Sequence, residues 1–293
     1  MKKFAPFLII IAGICWGAIG IFVRKLNSFG IQSLEIVDVR AIVSAFLIGV
    51  LLLVYNKKLL YIHPRHLWTV FGTGVAGIIF FNLCYFSTIK ASSLSVAAVL
   101  LYTAPIFVML LSSLLFKERI TKKKVFCLGL SLIGCVMVSG IFDGTATLDG
   151  KGFVVGLGAG LGYALYTIFT RYALIYGEHP LTIQFYTFLF GAIGGYFISD
   201  IEIIKLSVMT YGSGPIVFIL GIGIFCTAIP NVLYNYGLKY VDNGTTSIMA
   251  SVEPAMAIIF GIIFFHEIPS PVAAIGMIFS LTSIILINRN KKN

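Results

Sequence analysis

The sequence predicts an all-α integral membrane protein of ten transmembrane helices, built as two inverted five-helix repeats with both termini cytoplasmic. Three observations carry this expectation. The chain has 293 residues, of which 59% are hydrophobic and only 11% charged. Soluble domains carry about 25% charged residues, so this chain lacks the polar surface to coat itself in water. Apolar runs of membrane-crossing length recur along it. The two halves also align with each other.

A helix needs about 20 apolar residues to cross the hydrocarbon core. Such runs lie near 5–23, 34–55, 67–88, 93–116, 125–141, 152–170, 181–198, 214–236, 244–265 and 271–287. Several hold a central Gly or Pro, which membrane bundles tolerate where neighbours satisfy the freed backbone. Lys2 and Lys3 before the first run suggest a signal peptide, but Arg24 and Lys25 follow in place of a small-residue cleavage site. The segment therefore counts as a mature helix.

Charge sets the orientation. With the N-terminus inside, 15 of the 21 Lys and Arg residues fall in inner segments, including the cluster Lys117, Arg119, Lys122, Lys123, Lys124 and the tail Lys291, Lys292. Five fall outside: Arg24, Lys25, Lys90, Lys151 and Lys205. Excess Lys and Arg marks cytoplasmic loops. The net charge of +10 is thus topological and does not mark a nucleic-acid interface.

The repeat divides the chain into 1–143 and 152–293. Gly13, Trp16 and Arg24 match Gly160, Tyr163 and Arg171 at one offset. Asn82, Tyr85, Lys90, Pro105 and Glu118 match Asn231, Tyr234, Lys239, Pro254 and Glu267 two residues further on. An odd number of spans per half turns the second half upside down. Inverted repeats around a midplane site are the architecture of alternating-access carriers.

Two copies of a Pro followed thirteen residues later by Glu, Tyr102-Thr103-Ala104-Pro105 with Glu118 and Val252-Glu253-Pro254 with Glu267, stand beside Trp16-Gly17 and the helix-end Arg24 and Arg171. This pattern resembles the EamA-type branch of the drug/metabolite transporter superfamily over essentially the whole chain. The resemblance implies a ten-helix transporter of amino acids, other metabolites or toxic compounds, with a central cavity lined by helices 1, 3, 4, 6, 8 and 9.

Candidate substrate-binding residues follow from polarity inside the spans. Glu253 stands next to Pro254 within the ninth span, where a charge costs roughly 2.5–3.5 kcal/mol on insertion scales. The competing reading is a neutral Glu that fixes helix packing. Asn82 and Asn231 are repeat mates whose buried amides need partners, and Asn235, Tyr85 and Tyr234 extend polar-aromatic stripes from them. Trp16, Tyr163, Tyr102 and Met249 complete the set, with apolar packing as the alternative. Asp38 and Arg40 are read as structural. The five cysteines (Cys15, Cys84, Cys127, Cys135, Cys226) form no metal-ligand spacing.

The expected function is a secondary active carrier of small organic metabolites such as amino acids, amines or organic cations, with export as its direction. No Walker motif appears, so ATP is not the direct drive. No catalytic residues, metal ligands or cofactors are expected; no HExxH motif supports an intramembrane protease. A channel or lipid-flipping protein is the alternative. The expected partners are a small-molecule substrate and the lipid bilayer of the plasma membrane, with the chain a monomer or homodimer.

Overall fold

The computed structural model describes residues 2–141 and 150–289, and all regular secondary structure among them is helical. Lys291 and Lys292, and the expected ends of the two halves at 143 and 293, lie outside the described residues. Eight helical segments are long and apolar enough to cross a membrane: α1 Lys2–Ser28, α2 Ser33–Tyr55, α3 Pro64–Ala91, α4 Leu94–Phe116, α6 Gly150–Ile175, α8 Gly214–Leu238, α9 Asn243–Phe265 and α10 Pro271–Asn288. Two more occupy the remaining expected positions. Helix α5, Lys122–Val138, has 17 residues. Helix α7, Pro180–Tyr196, turns by 91° into a lateral helix, Ile201–Tyr211. Large side chains such as Phe46, Val54, Leu114, Phe126 and Ile285 are exposed around the outside. That is how a bundle solvated by lipid presents itself.

The helices pair as the repeat requires. Helix α1 packs on α8 and α9, and its mate α6 packs on α3 and α4. Helices α2 and α7 pair with each other, as do α5 and α10, and α4 and α9. Exchanging the two halves maps this set of contacts onto itself, so the bundle has a pseudo-two-fold axis.

Local geometry repeats at the same offset. Helix α3 widens into a π-helical segment at Val75–Phe80, and α8 does so at Ile224–Ala228. A wide turn leaves backbone carbonyls without their usual partner. Asn82 donates its amide to the Ile78 carbonyl (2.8 Å), and Asn231 does the same to Thr227 (2.8 Å). Helix α4 breaks at Tyr102–Thr103 and α9 at Ser251–Val252. Pro105 and Pro254 then open the second halves of their helices, in the first turn, where a missing N–H costs nothing. In both helices the break therefore precedes the proline. Lys117 and His266 both end their helices in the left-handed conformation, with φ of 56° and 52°.

Gly13 and Gly160 allow close, repeat-related crossings at the two helix breaks. A Cβ on Gly13 would stand 3.0 Å from the Ala250 carbonyl on α9, and one on Gly160 would stand 2.9 Å from the Leu100 carbonyl on α4. Backbone cannot move aside as a side-chain tip can. Gly160→Val should therefore destabilise the protein by about 1–3 kcal/mol, the usual cost of overpacking. Thermal unfolding in detergent checks this. Gly20→Val is the control, since nothing lies within 4 Å of a Cβ there. Equal melting temperatures for the two variants would refute the close-crossing account.

Candidate functional site

The two helix breaks meet at a small, largely apolar pocket that holds one acidic residue. Leu101, Tyr102, Ala104 and Pro105 come from α4, Tyr163 from α6, and Ser247, Ala250, Ser251 and Glu253 from α9. Both breaks contribute, so the pocket lies where the pseudo-two-fold relates α4 to α9. Its volume is about 20 Å³, room for about one water molecule. A metabolite needs the helices to part.

Glu253 heads the second half of α9 and is one of three predicted residues that line this pocket; Tyr102 and Tyr163 are the others. All three are densely surrounded by protein yet keep some accessible surface. The Glu253 carboxylate makes no ion pair among the described residues. Its nearest electrostatic counterpart is Arg40 on α2, whose guanidinium attracts it from beyond contact distance. Arg40, read as structural from the sequence, does not line the pocket and acts on Glu253 only through its charge. The signal available was its depth within an apolar run, which marks function as readily as packing.

The other predicted residues surround the pocket at greater depth. Trp16 packs its ring on Tyr163 (6.5 Å) and Tyr234 (5.4 Å). Tyr85 leans on Phe81 and retains accessible surface. Tyr234 is fully buried, with its hydroxyl 2.9 Å from that of Thr167. Asn235, also fully buried, donates to Gln184 (2.7 Å), and the Tyr166 hydroxyl lies 3.0 Å from both amide oxygens. One O–H proton serves one acceptor at a time, so this network has two arrangements. Met249 is buried beside them. Asn82 and Asn231 spend their amides on their own helices, as described above.

Sequence reasoning missed a cluster at the Glu118 end of the bundle. Glu118 accepts the backbone N–H groups of Asn243 (2.9 Å) and Gly244 (3.3 Å), capping α9 from the end of α4. The Asn243 amide donates to Ser112 (2.9 Å), and its oxygen accepts from Arg171 Nε (2.5 Å). Arg171 also donates to the Val241 carbonyl. Lys124 and Asp242 form an ion pair at 2.7 Å. Burial alone would push the Asp242 carboxyl up; the hydrogen bonds from Lys124 and Thr245, with the Lys124 charge, hold it below its ordinary range.

The Glu267 end differs although its residues are repeat mates. The backbone repeats: Glu118 N–H donates to Ser112 and Glu267 N–H to Gly261, each at 3.3 Å. Yet Glu267 does not cap α4, whose first turn is capped by Ser93 instead. Its carboxylate pairs with Arg24 at 2.5 Å, in an exposed position, and Arg24 lies over the Phe265 ring. A cavity of about 470 Å³ opens at this end, lined in part by Asn27, Gln32, Glu35, Phe86 and Lys90. The Glu118 end carries a buried clamp, and the Glu267 end carries an exposed ion pair beside this cavity.

A sequence model of the EamA-like transporter family matches this chain twice, over residues 3–140 and 150–289. The chain belongs to the EamA-like transporter family. It is a multi-pass membrane transporter, and the family assigns transport rather than catalysis. The two matched stretches coincide with the two halves of the pseudo-two-fold. An uncharacterized transporter of Archaeoglobus fulgidus is 30% identical over 203 residues, 69% of this chain and 70% of its own length. The uncharacterized transporter YxxF of Bacillus subtilis is 25% identical over 306 residues, covering 99% of this chain and 92% of its own. A solved crystal structure has the same fold, with a TM-score of 0.81 at 15% identity, covering 99% of this chain and 98% of that one.

Proposed function

We propose that this EamA-like transporter is a secondary active carrier that works by alternating access in the plasma membrane. The observation that carries the reading is the unequal use of equivalent residues. Glu118 bridges α4 to the start of α9, whereas Glu267 does not reach the start of α4 and pairs with Arg24 instead. Exchanging these roles gives a second state of similar energy that faces the other way. A channel has no need of two such states. The ten helical segments then cross the membrane as inverted halves. The Lys/Arg balance puts both termini and the Glu118 clamp inside and the Glu267 end outside.

The proposed substrate is a small organic metabolite: an amino acid first, then an amine or organic cation. The Glu253 carboxylate suits an ammonium group, and the Tyr102 and Tyr163 rings suit a cation or an apolar side chain. Arg40 adds a positive charge for a carboxylate. Tyr85, Trp16, Asn82, Asn231, Tyr234, Asn235 and Met249 are proposed to reach the substrate as the helices part. Export is the proposed direction, with the chain acting as a monomer or homodimer.

A thermal-shift screen of the purified protein against amino acids, amines and organic cations tests the substrate class, because a ligand of the folded state raises the melting temperature by mass action. Hits then go to counterflow in liposomes. Trans-stimulated, saturable exchange is the expected result; flux that neither saturates nor responds to trans substrate would identify a channel.

A further inference from the structure

A polar site lies away from the central pocket, at the outer end of α2. Glu35 and Asp38 stand three residues apart on one face of that helix, at 6% and 0% exposure. Asp38 accepts from the Ser199 hydroxyl at 2.6 Å, and Glu35 takes one long bond, 3.4 Å, from the Asp200 N–H. That leaves Asp38 Oδ1 and Glu35 Oε2 buried with no hydrogen-bond partner. A buried carboxylate oxygen without a partner is costly, and two such groups repelling each other are costlier still.

Asp38 Oδ1 lies against Gly195, where even a Cβ would stand 2.5 Å from it. Gly195 belongs to the last turn of α7, immediately before the 91° bend. The Gly195 carbonyl is already taken by the N–H groups of Ile198 and Ser199, each at 2.8 Å. Two acids on one helix face thus meet the last turn of α7 with a carboxylate oxygen each left over.

Among the described residues no cation pairs with them. The four ion pairs among the described residues involve neither acid. Lys90 on α3 lines the same outer cavity as Glu35. Arg24 is held by Glu267, and Lys205 on the lateral helix by Glu202. Lys25 lies over Phe29. Arg40, two residues past Asp38, makes no ion pair with either acid. Asp200 caps the lateral helix through Glu202 N–H.

We propose that Glu35 and Asp38 form a binding site for one small monovalent cation, a sodium ion or a proton, taken from the outer cavity through Glu35. Sodium would take the two free carboxylate oxygens, with water from the outer cavity completing its shell. A proton would sit between the two acids. Either supplies the charge the site lacks. Because the site lies where α2 supports the bend of α7, its occupancy is tied to the packing of the α2–α7 pair, which bridges the two halves.

The test uses the full-length chain in detergent and needs no organic substrate. Melting temperature is measured from zero to ~100 mM sodium chloride at fixed pH, with choline chloride holding ionic strength, and separately across pH without sodium. Sodium occupancy should raise it by about 3 °C or more over choline. Proton occupancy should instead raise it as pH falls, with no sodium effect. In both cases the response should disappear in Glu35→Gln and in Asp38→Asn, and persist in Glu253→Gln. If Asp38→Asn does not fold, Glu35→Gln decides alone. No response to either cation in the wild-type protein, or an equal response in Glu35→Gln, overturns the proposal. Loss of the response in Glu253→Gln also overturns it, since the cation would then belong to the central pocket. Failure here leaves the carrier reading intact, because that reading rests on other residues.

Discussion

Glu253→Gln should raise the half-saturation concentration for an amino acid or amine about 10- to 100-fold while leaving the melting temperature of the ligand-free protein within a few degrees of wild type. The variant keeps the volume and one acceptor oxygen of the side chain and removes its charge. A hydrogen bond to a charged group contributes about 1.5–3 kcal/mol, and every 1.4 kcal/mol is tenfold in affinity. Little stability should be lost, because the carboxylate makes no hydrogen bond or ion pair with other described residues. A structural Glu that fixes packing would show the reverse: a large drop in melting temperature with affinity retained. Arg40→Gln should weaken a zwitterionic amino acid by a similar factor and leave a simple amine unaffected or better bound. The two charges attract one another, so the double variant should fall short of the sum of the single effects. Equal losses for amine and amino acid in Arg40→Gln would remove Arg40 from carboxylate recognition.

A smaller effect concerns pH at the clamp. The Asp242 carboxyl is held below its ordinary range, so its contribution is present above the unfolded value and lost as pH falls through the folded one. The Lys124–Asp242 bridge should therefore keep full strength at neutral pH and weaken only in strong acid. Wild type and Asp242→Asn should have melting curves that converge below about pH 4. A constant gap between them across the whole range would show that the ionised form of Asp242 is not what stabilises the clamp.

The periodic part of this molecule was legible in its sequence. All ten apolar runs became helices within a few residues of their expected ends, because backbone in lipid has no other way to satisfy itself. The repeat was legible too, since symmetry-related helices keep residues such as Pro105 and Pro254 for the same geometric purpose. The lateral turn after α7 was not: the apolar run near 181–198 gives no sign that the chain then bends by 91°. Nor were the π-helical segments, which insert one residue into a turn and leave the apolar pattern intact. Asn82 and Asn231 were correctly singled out as polar groups needing partners. Their partners are carbonyls four residues back, which only the widened turn makes available. Of the central pocket, Glu253, Tyr102 and Tyr163 were read from polarity within the spans, while Ser247 and Ser251 carry no distinguishing signal. The clamp was visible only as a mark of homology. Glu118 and Glu267 aligned the halves, but sequence alone could not say that one bridges two helices while the other faces solvent.

That difference gives the second large effect. On the proposed alternating-access reading, Glu118→Ala should move the population from the clamped form, taken as outward-open from the charge balance, toward the form open to the cytoplasm by about 10- to 100-fold. The variant removes two hydrogen bonds from a carboxylate to the first turn of α9, at Asn243 and Gly244. Such charge-assisted contacts are worth about 1.5–3 kcal/mol each, part of which water recovers when the end opens. Glu267→Ala removes only the exposed pair with Arg24, at about half exposure on both sides, which is worth little. It should leave the outward-open state populated and deprive the opposite state of its matching cap on α4. The two variants therefore shift the equilibrium in opposite directions although they are the same substitution at repeat-related positions. Labelling a single cysteine at Ser247, on the wall of the central pocket, with a membrane-impermeant thiol reagent from each side reads the shift. Access from inside should rise in Glu118→Ala and fall in Glu267→Ala. Parallel changes in both variants would mean that the two ends do not alternate. A rise in outside access for Glu118→Ala would reverse the orientation inferred from the charge balance while leaving the alternation itself in place.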